Sequence, residues 1–393
     1  FGAGLLSSAW TRGGAGARRS FREMPSEQRR PVSVALIVAA FALVLVLPQL
    51  TGGFVSLVLV QVGFALLLAL GLNIVVGYAG LLDLGYVAFY AVGAYTAALL
   101  LSPASVIDGA FSETFGVWGF WLALPVVMIV AGIVGILIGA PVLRLRGDYL
   151  AIVTLGFGEI ARVLFLSDAL EPWVGGAQGI VRIPDMYFVK IDFSDFELWG
   201  QLTEPTHFFY PVLMFCALAA FVAWRLANSR TGRAWNAMRE DEQVAEATGV
   251  NTTNYKLLAF ALGATLGCLG GALFAVQLGS VFPNTFNILV SITTLAIIIL
   301  GGMGNIPGVV VGALLLIGLP ELLREFEQYR LLVYGAVLVA MMILRPEGLF
   351  PSRIRREELH EVTEEEEQEQ LAMAEGELEL AAGPVVTRGP LSD

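Results

Sequence analysis

The sequence predicts an all-α fold: a polytopic membrane helix bundle of about ten spans, with one broken or re-entrant helix. Three observations predict it. First, 56% of the 393 residues are hydrophobic and only 15% are charged, with a mean hydropathy of +0.75; a soluble protein carries about 25% charged residues. Second, residues 31–82 and 257–320 contain no Asp, Glu, Lys or Arg. The second run is 64 residues long, and one crossing helix takes about 20. Third, the apolar stretch 71–100 is interrupted by Asn73 and Asp83, with Gly77, Gly80 and Gly85 around the carboxylate. Bare backbone and a carboxylate at membrane depth are tolerated only when buried in protein or lining a wet cavity. A broken helix facing a path through the membrane fits; a tight turn with Asp83 at the water interface is the alternative.

The chain divides into a basic N-terminal segment (1–30), a membrane domain (31–351) and an acidic tail (352–393). The first segment holds six arginines and no lysine, the composition of a cytoplasmic end or of a targeting segment. The first span covers about residues 34–47 and should stop at Pro48. The second covers 54–76, and the third, 85–101, is the second half of the interrupted stretch. The fourth, 117–143, is closed by Arg144 and Arg146. The fifth, 149–166, carries Glu159 and Arg162, which are three apart, share a helix face and can pair. A polar loop follows, within which Tyr187 to Phe193 alternates enough for a strand or hairpin. The remaining spans are 208–227, 257–277, 288–300, 306–323 and 331–344. Gly135/Gly139, Gly263/Gly267/Gly271 and Gly304/Gly308/Gly312 recur at four-residue spacing, which lets helix backbones approach closely in lipid.

Ten spans put both ends on one side. The inner segments then hold seventeen bases and the outer loops four, Arg182, Lys190, Arg324 and Arg330, which matches the positive-inside rule. The net charge of −11 belongs to the tail: from Glu357 onward there are twelve acids and one base, leaving 22 of each in residues 1–356. Like charges without aromatics predict a disordered tail.

Soluble enzyme chemistry is excluded. The two lysines, Lys190 and Lys256, sit in no phosphate-binding GxxxxGK[ST] loop, and there is no GxSxG or HExxH. Cys216 and Cys268 lie in apolar runs and lack metal spacing, so no catalytic or metal site is expected and the cysteines read as small buried residues. His207 is the one histidine near a span boundary that could act as a base. Asp83 and Glu159 keep a secondary transporter or channel open as an alternative. The charged insertion 232–256 has Asp241 as a candidate N-cap and Gly249 as a helix stop. A short acidic helix there, fixed between two spans, could dock on a partner; a solvated loop is the plainer alternative.

Four blocks in order, GLNIVVGYAGLLDLGYVAFYAVGAYTAALL, GDYLAIVTLGFGEIAR, GRAWNAMREDEQVAEATGVN and GGMGNIPGVVVGALLL, resemble the membrane permease subunit of the branched-chain amino acid ABC importers, and more narrowly the longer of the two paired permeases. The resemblance covers about residues 31–351. It implies a multi-pass protein of the bacterial inner membrane with both termini cytoplasmic. It also implies a second permease subunit, two cytoplasmic ATPase subunits and a periplasmic amino acid binding protein as partners, and no nucleic acid. ATP would be bound by those partner subunits, so this chain has no cofactor of its own. Carried over, Arg239, Glu240, Asp241, Ala245, Glu246 and Gly249 would form the ATPase-coupling helix. Asn73, Gly80 and Asp83 would lie on the translocation path, and the Glu159–Arg162 pair would line the path or brace the bundle. Import of urea or short amides is the alternative within this group.

Overall fold

The computed structural model describes residues 26–108, 110–142, 145, 147–191, 196–202, 204–322, 335–336, 339 and 349–350. The bundle opens with α1 (Ser26–Leu72), two helices joined at Gly52, whose φ of +80° turns the chain. The first span therefore runs past Pro48 and stops at Gly52. Proline removes one donor from the helix, whereas a glycine in this conformation ends it. Ser56 Oγ, across the turn, donates to the carbonyls of Pro48 (3.3 Å) and Gly52 (2.9 Å).

α1 passes into a π-helical turn, Asn73–Tyr78. Non-helical backbone follows, and then α2 (Val87–Leu101), so the interrupted stretch is a broken helix. Next come α3 (Ala110–Phe115), α4 (Gly119–Val142), α5 (Asp148–Leu166) and α6 (Glu171–Val174). The polar loop carries β1 (Ile180–Val181), β2 (Tyr187–Ile191) and β3 (Phe196–Gln201), with β2 and β3 an antiparallel hairpin at the place the alternation indicated. α7 (Pro205–Ala227), α8 (Arg230–Glu240), α9 (Glu242–Ala247) and α10 (Thr252–Leu278) follow. Strand β4 (Ser280–Val281), α11 (Ile288–Gly301), α12 (Ile306–Ala313), a second π-helical turn (Leu314–Gly318) and α13 (Leu319–Leu322) complete the described elements.

Among the described residues, six helical segments are long and apolar enough to cross a membrane, and Val87–Leu101 and Ile306–Leu322 are shorter apolar helices. The expected tenth span falls largely outside the described residues, and residues 1–25 and the acidic tail fall wholly outside them.

α2 sits inside the bundle: eleven of its 15 residues are buried. Its main neighbour is α10, and glycine sets their approach. A Cβ on Gly93 would lie 2.0 Å from the Cys268 carbonyl oxygen, and one on Gly271 would lie 2.0 Å from that of Tyr90. Tyr86 Oη donates to the Gly263 carbonyl at 2.6 Å. The expected glycine ladders are packing surfaces: Gly263 and Gly267 receive Val75 and Tyr86, Gly135 lies on Ala261 and Ala264, and Gly308 and Gly312 meet Gly301 and Ile297. Gly304 belongs to the turn before α12, with φ +79°. Cys216 and Cys268 are buried, and their thiols donate to the carbonyls of Gly63 and Phe89.

The connectors gather at two ends. At one, β1 pairs with β4, Ser102 Oγ donates to the Val181 carbonyl, and Trp121 Nε1 donates to that of Tyr187. At the other, Arg239 of α8 donates to the Gly77 carbonyl of the π-helical turn, Asn73 of that turn accepts from Gly304 in the α11–α12 turn, and the amides of Leu349 and Phe350 donate to the carbonyls of Leu300 and Gly301. This sorting is the one that alternating spans require.

Candidate functional site

The second end holds a junction of three elements. α8 begins at Ser229, whose side chain accepts from the Gly232 amide, and it buries Trp235 and Met238 on one face. Trp235 Nε1 donates to the Tyr255 carbonyl at 2.8 Å, which fixes α8 on α10. This orientation lays Arg239 over the broken helix. Its Nη1 donates to the Gly77 carbonyl at 2.9 Å, one of the groups that the break releases from helical bonding. Gly80 has φ +71°, and a Cβ there would lie 2.8 Å from Arg239 Cγ. Only glycine allows both this turn and this approach. On the far side of the break, Asn73 Oδ1 accepts from the Gly304 amide at 2.9 Å, which joins it to the α11–α12 turn.

α9 is capped as its sequence indicated. Asp241 Oδ1 accepts from the amides of Gln243 (2.8 Å) and Val244 (3.0 Å), and Gly249 ends the helix at φ +91°. Lys256, 4% exposed, donates from Nζ to Glu242 Oε1 at 2.6 Å, so α9 is also tied to the base of α10. Ala245 is buried, whereas Glu240, Asp241, Gln243, Val244, Glu246 and Gly249 are exposed. A cavity of about 140 Å³ separates α8 and α9 from the break, lined by Gly80, Leu82, Arg239, Glu242 and Lys256 among others.

Asp83 lies in the connector between two spans and is 2% exposed. Its Oδ1 accepts from the Gly85 amide at 2.9 Å, and its Oδ2 has no hydrogen-bond partner among the described residues. Burial, opposed by the Gly85 N–H, pushes the carboxyl up to about 6. Thr154 Oγ1 accepts from the Leu84 amide, which holds the connector against α5.

Two further features lie among the spans. Glu159 and Arg162 pair on the exposed side of α5, with Nε of Arg162 3.0 Å from Glu159 Oε1 and 3.1 Å from Oε2. A cavity of about 480 Å³ lies between α1, α2, α10 and α11. Phe64, Leu68, Tyr90, Phe274 and Ile297 form much of its wall, and Gln61, Asn287, Thr293 and Thr294 supply amide and hydroxyl groups. Such a surface suits a solute with an apolar body.

The structure thus brings Asn73, Gly80 and Arg239 into one junction and places Asp83 one connector further on. Asn73 and Asp83 line neither cavity, whereas Gly80 lines the smaller one. The Glu159–Arg162 pair stands apart, on α5. Sequence reasoning missed α8 as a helix and the role of Arg239 in holding the break. The signal was present: Ala234, Trp235 and Met238 recur at helical spacing among polar residues.

The family model for the permease component of the branched-chain amino acid transport system matches residues 54–344. The chain belongs to this family. It is 41% identical over 332 residues to the high-affinity branched-chain amino acid transport system permease protein LivM of Escherichia coli, covering 81% of this chain and 74% of that one. It is 25% identical to the probable branched-chain amino acid transport permease protein LivM of Methanocaldococcus jannaschii, covering 76% and 94%. To the permease protein LivH of Salmonella typhimurium the identity is 23%, covering 72% and 90%. No solved structure matches the chain. The family's transport role agrees with the apolar span set.

Proposed function

We propose that this chain is one permease of an ATP-driven importer of branched-chain amino acids in the bacterial inner membrane, with the α8–α9 end in the cytoplasm. It holds no nucleotide and catalyses no reaction itself; separate cytoplasmic ATPases bind ATP. A second permease, of the kind named in the LivH relatives, completes the path. A periplasmic binding protein delivers the amino acid to the opposite end, where the β1–β4 and β2–β3 pairs lie.

The α9 helix with its capping residues is the seat for an ATPase. Glu240, Asp241, Val244, Glu246 and Gly249 face outward and are available to it, while Ala245 and Arg239 face the bundle. One observation carries the reading: Arg239 bonds to the carbonyl that the helix break leaves free. A displacement of α9 is passed by the adjoining α8 to the break, and by Asn73 to the α11–α12 turn. Rigid helices with one broken joint convert a push at the end into a rotation among the spans, the movement alternating access requires.

Val244 is 59% exposed on α9 and supports no contact within the core. Val244→Arg should therefore leave the chain folded and reduce recovery of the ATPases on purification of the complex. Undiminished recovery and uptake would show that α9 is not their seat.

A further inference from the structure

The coupling junction leaves one polar feature unused. The side chains of Glu159 and Arg162 are 47% and 27% exposed. They lie in the interior of α5, whose segment Tyr149–Leu166 is long and apolar enough to cross a membrane. Phe165, one turn beyond Arg162, stacks on Tyr95 with ring centroids 4.3 Å apart, and Gly158 packs on Gly85. Both partners belong to the interrupted stretch at the heart of the bundle. The pair has no other ion-pair or hydrogen-bond partner among the described residues. Because both members sit on α5, the pair cross-links no two elements and cannot brace the bundle. Charges at this depth are costly against lipid and ordinarily face a water-filled cavity or protein. Beside Glu159 lies Ile288 at the start of α11, where Leu289 and Ile292 are also exposed. The face is therefore an apolar wall bearing one positive and one negative group.

We infer that this face is the chain's wall of the solute path, and that Glu159 and Arg162 bind the zwitterionic head of an α-amino acid in passage. The inference rests on the transport reading above. The carboxylate of Glu159 accepts N–H bonds from the solute ammonium, and the guanidinium fork of Arg162 matches the solute carboxylate. Exchange conserves charge pairing: the internal ion pair opens as two pairs to the solute form, and closes again when it leaves. That symmetry keeps the station from trapping its cargo. The exposed side chains of Ile288, Leu289 and Ile292 offer contact to an apolar side chain.

The test uses the whole complex reconstituted in liposomes, with labelled leucine as probe. Glu159→Gln and Arg162→Gln should each assemble normally and lower leucine uptake at least tenfold. The exchange E159R/R162E keeps an ion pair on α5 but reverses its polarity, and uptake should stay low. In E159C the introduced thiol should react with a membrane-impermeant reagent, with leucine slowing the reaction. A thiol introduced as I133C, on the exposed side of α4, should not react. Full uptake in the exchanged pair would make the role structural and overturn the inference, as would unchanged uptake in the single variants or an unreactive E159C. An inactive wild type would overturn the transport reading and this inference with it; an active wild type with indifferent variants would overturn this inference alone.

Discussion

Asp83 and Glu159 are two carboxylates set among apolar spans, and the structure treats them oppositely. Asp83 is buried, accepts from its own backbone two residues on, and stabilises a bend. Glu159 is exposed and matched to Arg162 on the same helix. The first is closed within the connector between two spans; the second stands on an exposed helix face. A polar residue in a membrane sequence is thus not one kind of signal. Its meaning depends on whether the fold closes over it.

The close packing of α2 on α10 is the most sensitive place in the bundle. Gly93→Val should have the largest effect, because even a Cβ there meets the Cys268 carbonyl oxygen at 2.0 Å, and that oxygen belongs to helix backbone that cannot yield. Overpacking of this kind costs about 1–3 kcal/mol or more, so folded yield in detergent should fall sharply. Gly132→Val, with no neighbouring atom within 4 Å of the added carbon, should be tolerated.

The two carboxylates should also differ with pH. The folded-state value of Asp83, about 6, lies above the ordinary carboxylate value of 3.8, so the folded protein binds this proton more tightly than the unfolded chain. Stability from this group is therefore gained as pH falls through 6 toward 4 and is absent above 7. The full gain is about 3 kcal/mol, of which about 1 kcal/mol falls between pH 7 and pH 5. Comparing melting curves at pH 7 and pH 5 should show a smaller acid stabilisation in Asp83→Asn than in the wild type; equal shifts would show that Asp83 does not titrate in this window.

A smaller effect is expected at the α9 cap. Asp241→Ala removes the carboxylate oxygen that accepts from two amides, worth about 1 kcal/mol of local stability. Faster amide exchange in residues 242–247 than in α8 should report it, with the rest of the bundle unchanged.

Much of the architecture was legible because lipid leaves few options. Charge-free runs must be helices, and Asp241 and Gly249 capped the helix their types suggested. The strand at residue 187 followed from alternation. The misreading at Pro48 arose because a proline near a helix end resembles a stop, while the left-handed glycine four residues later performs it. The site was less legible. Asn73, Gly80 and Asp83 were read as path residues, and nothing in their spacing tells that Arg239, some 160 positions on, bonds to the Gly77 carbonyl. Likewise, spacing showed that Glu159 and Arg162 could pair; only the fold shows that the pair is exposed.

Motion of α8 is proposed to reach the broken helix through Arg239. This is tested most directly by measuring leucine taken up per ATP hydrolysed in the reconstituted complex carrying Arg239→Ala. Assembly and hydrolysis should continue, with uptake per ATP at least tenfold lower. An unchanged ratio would contradict it.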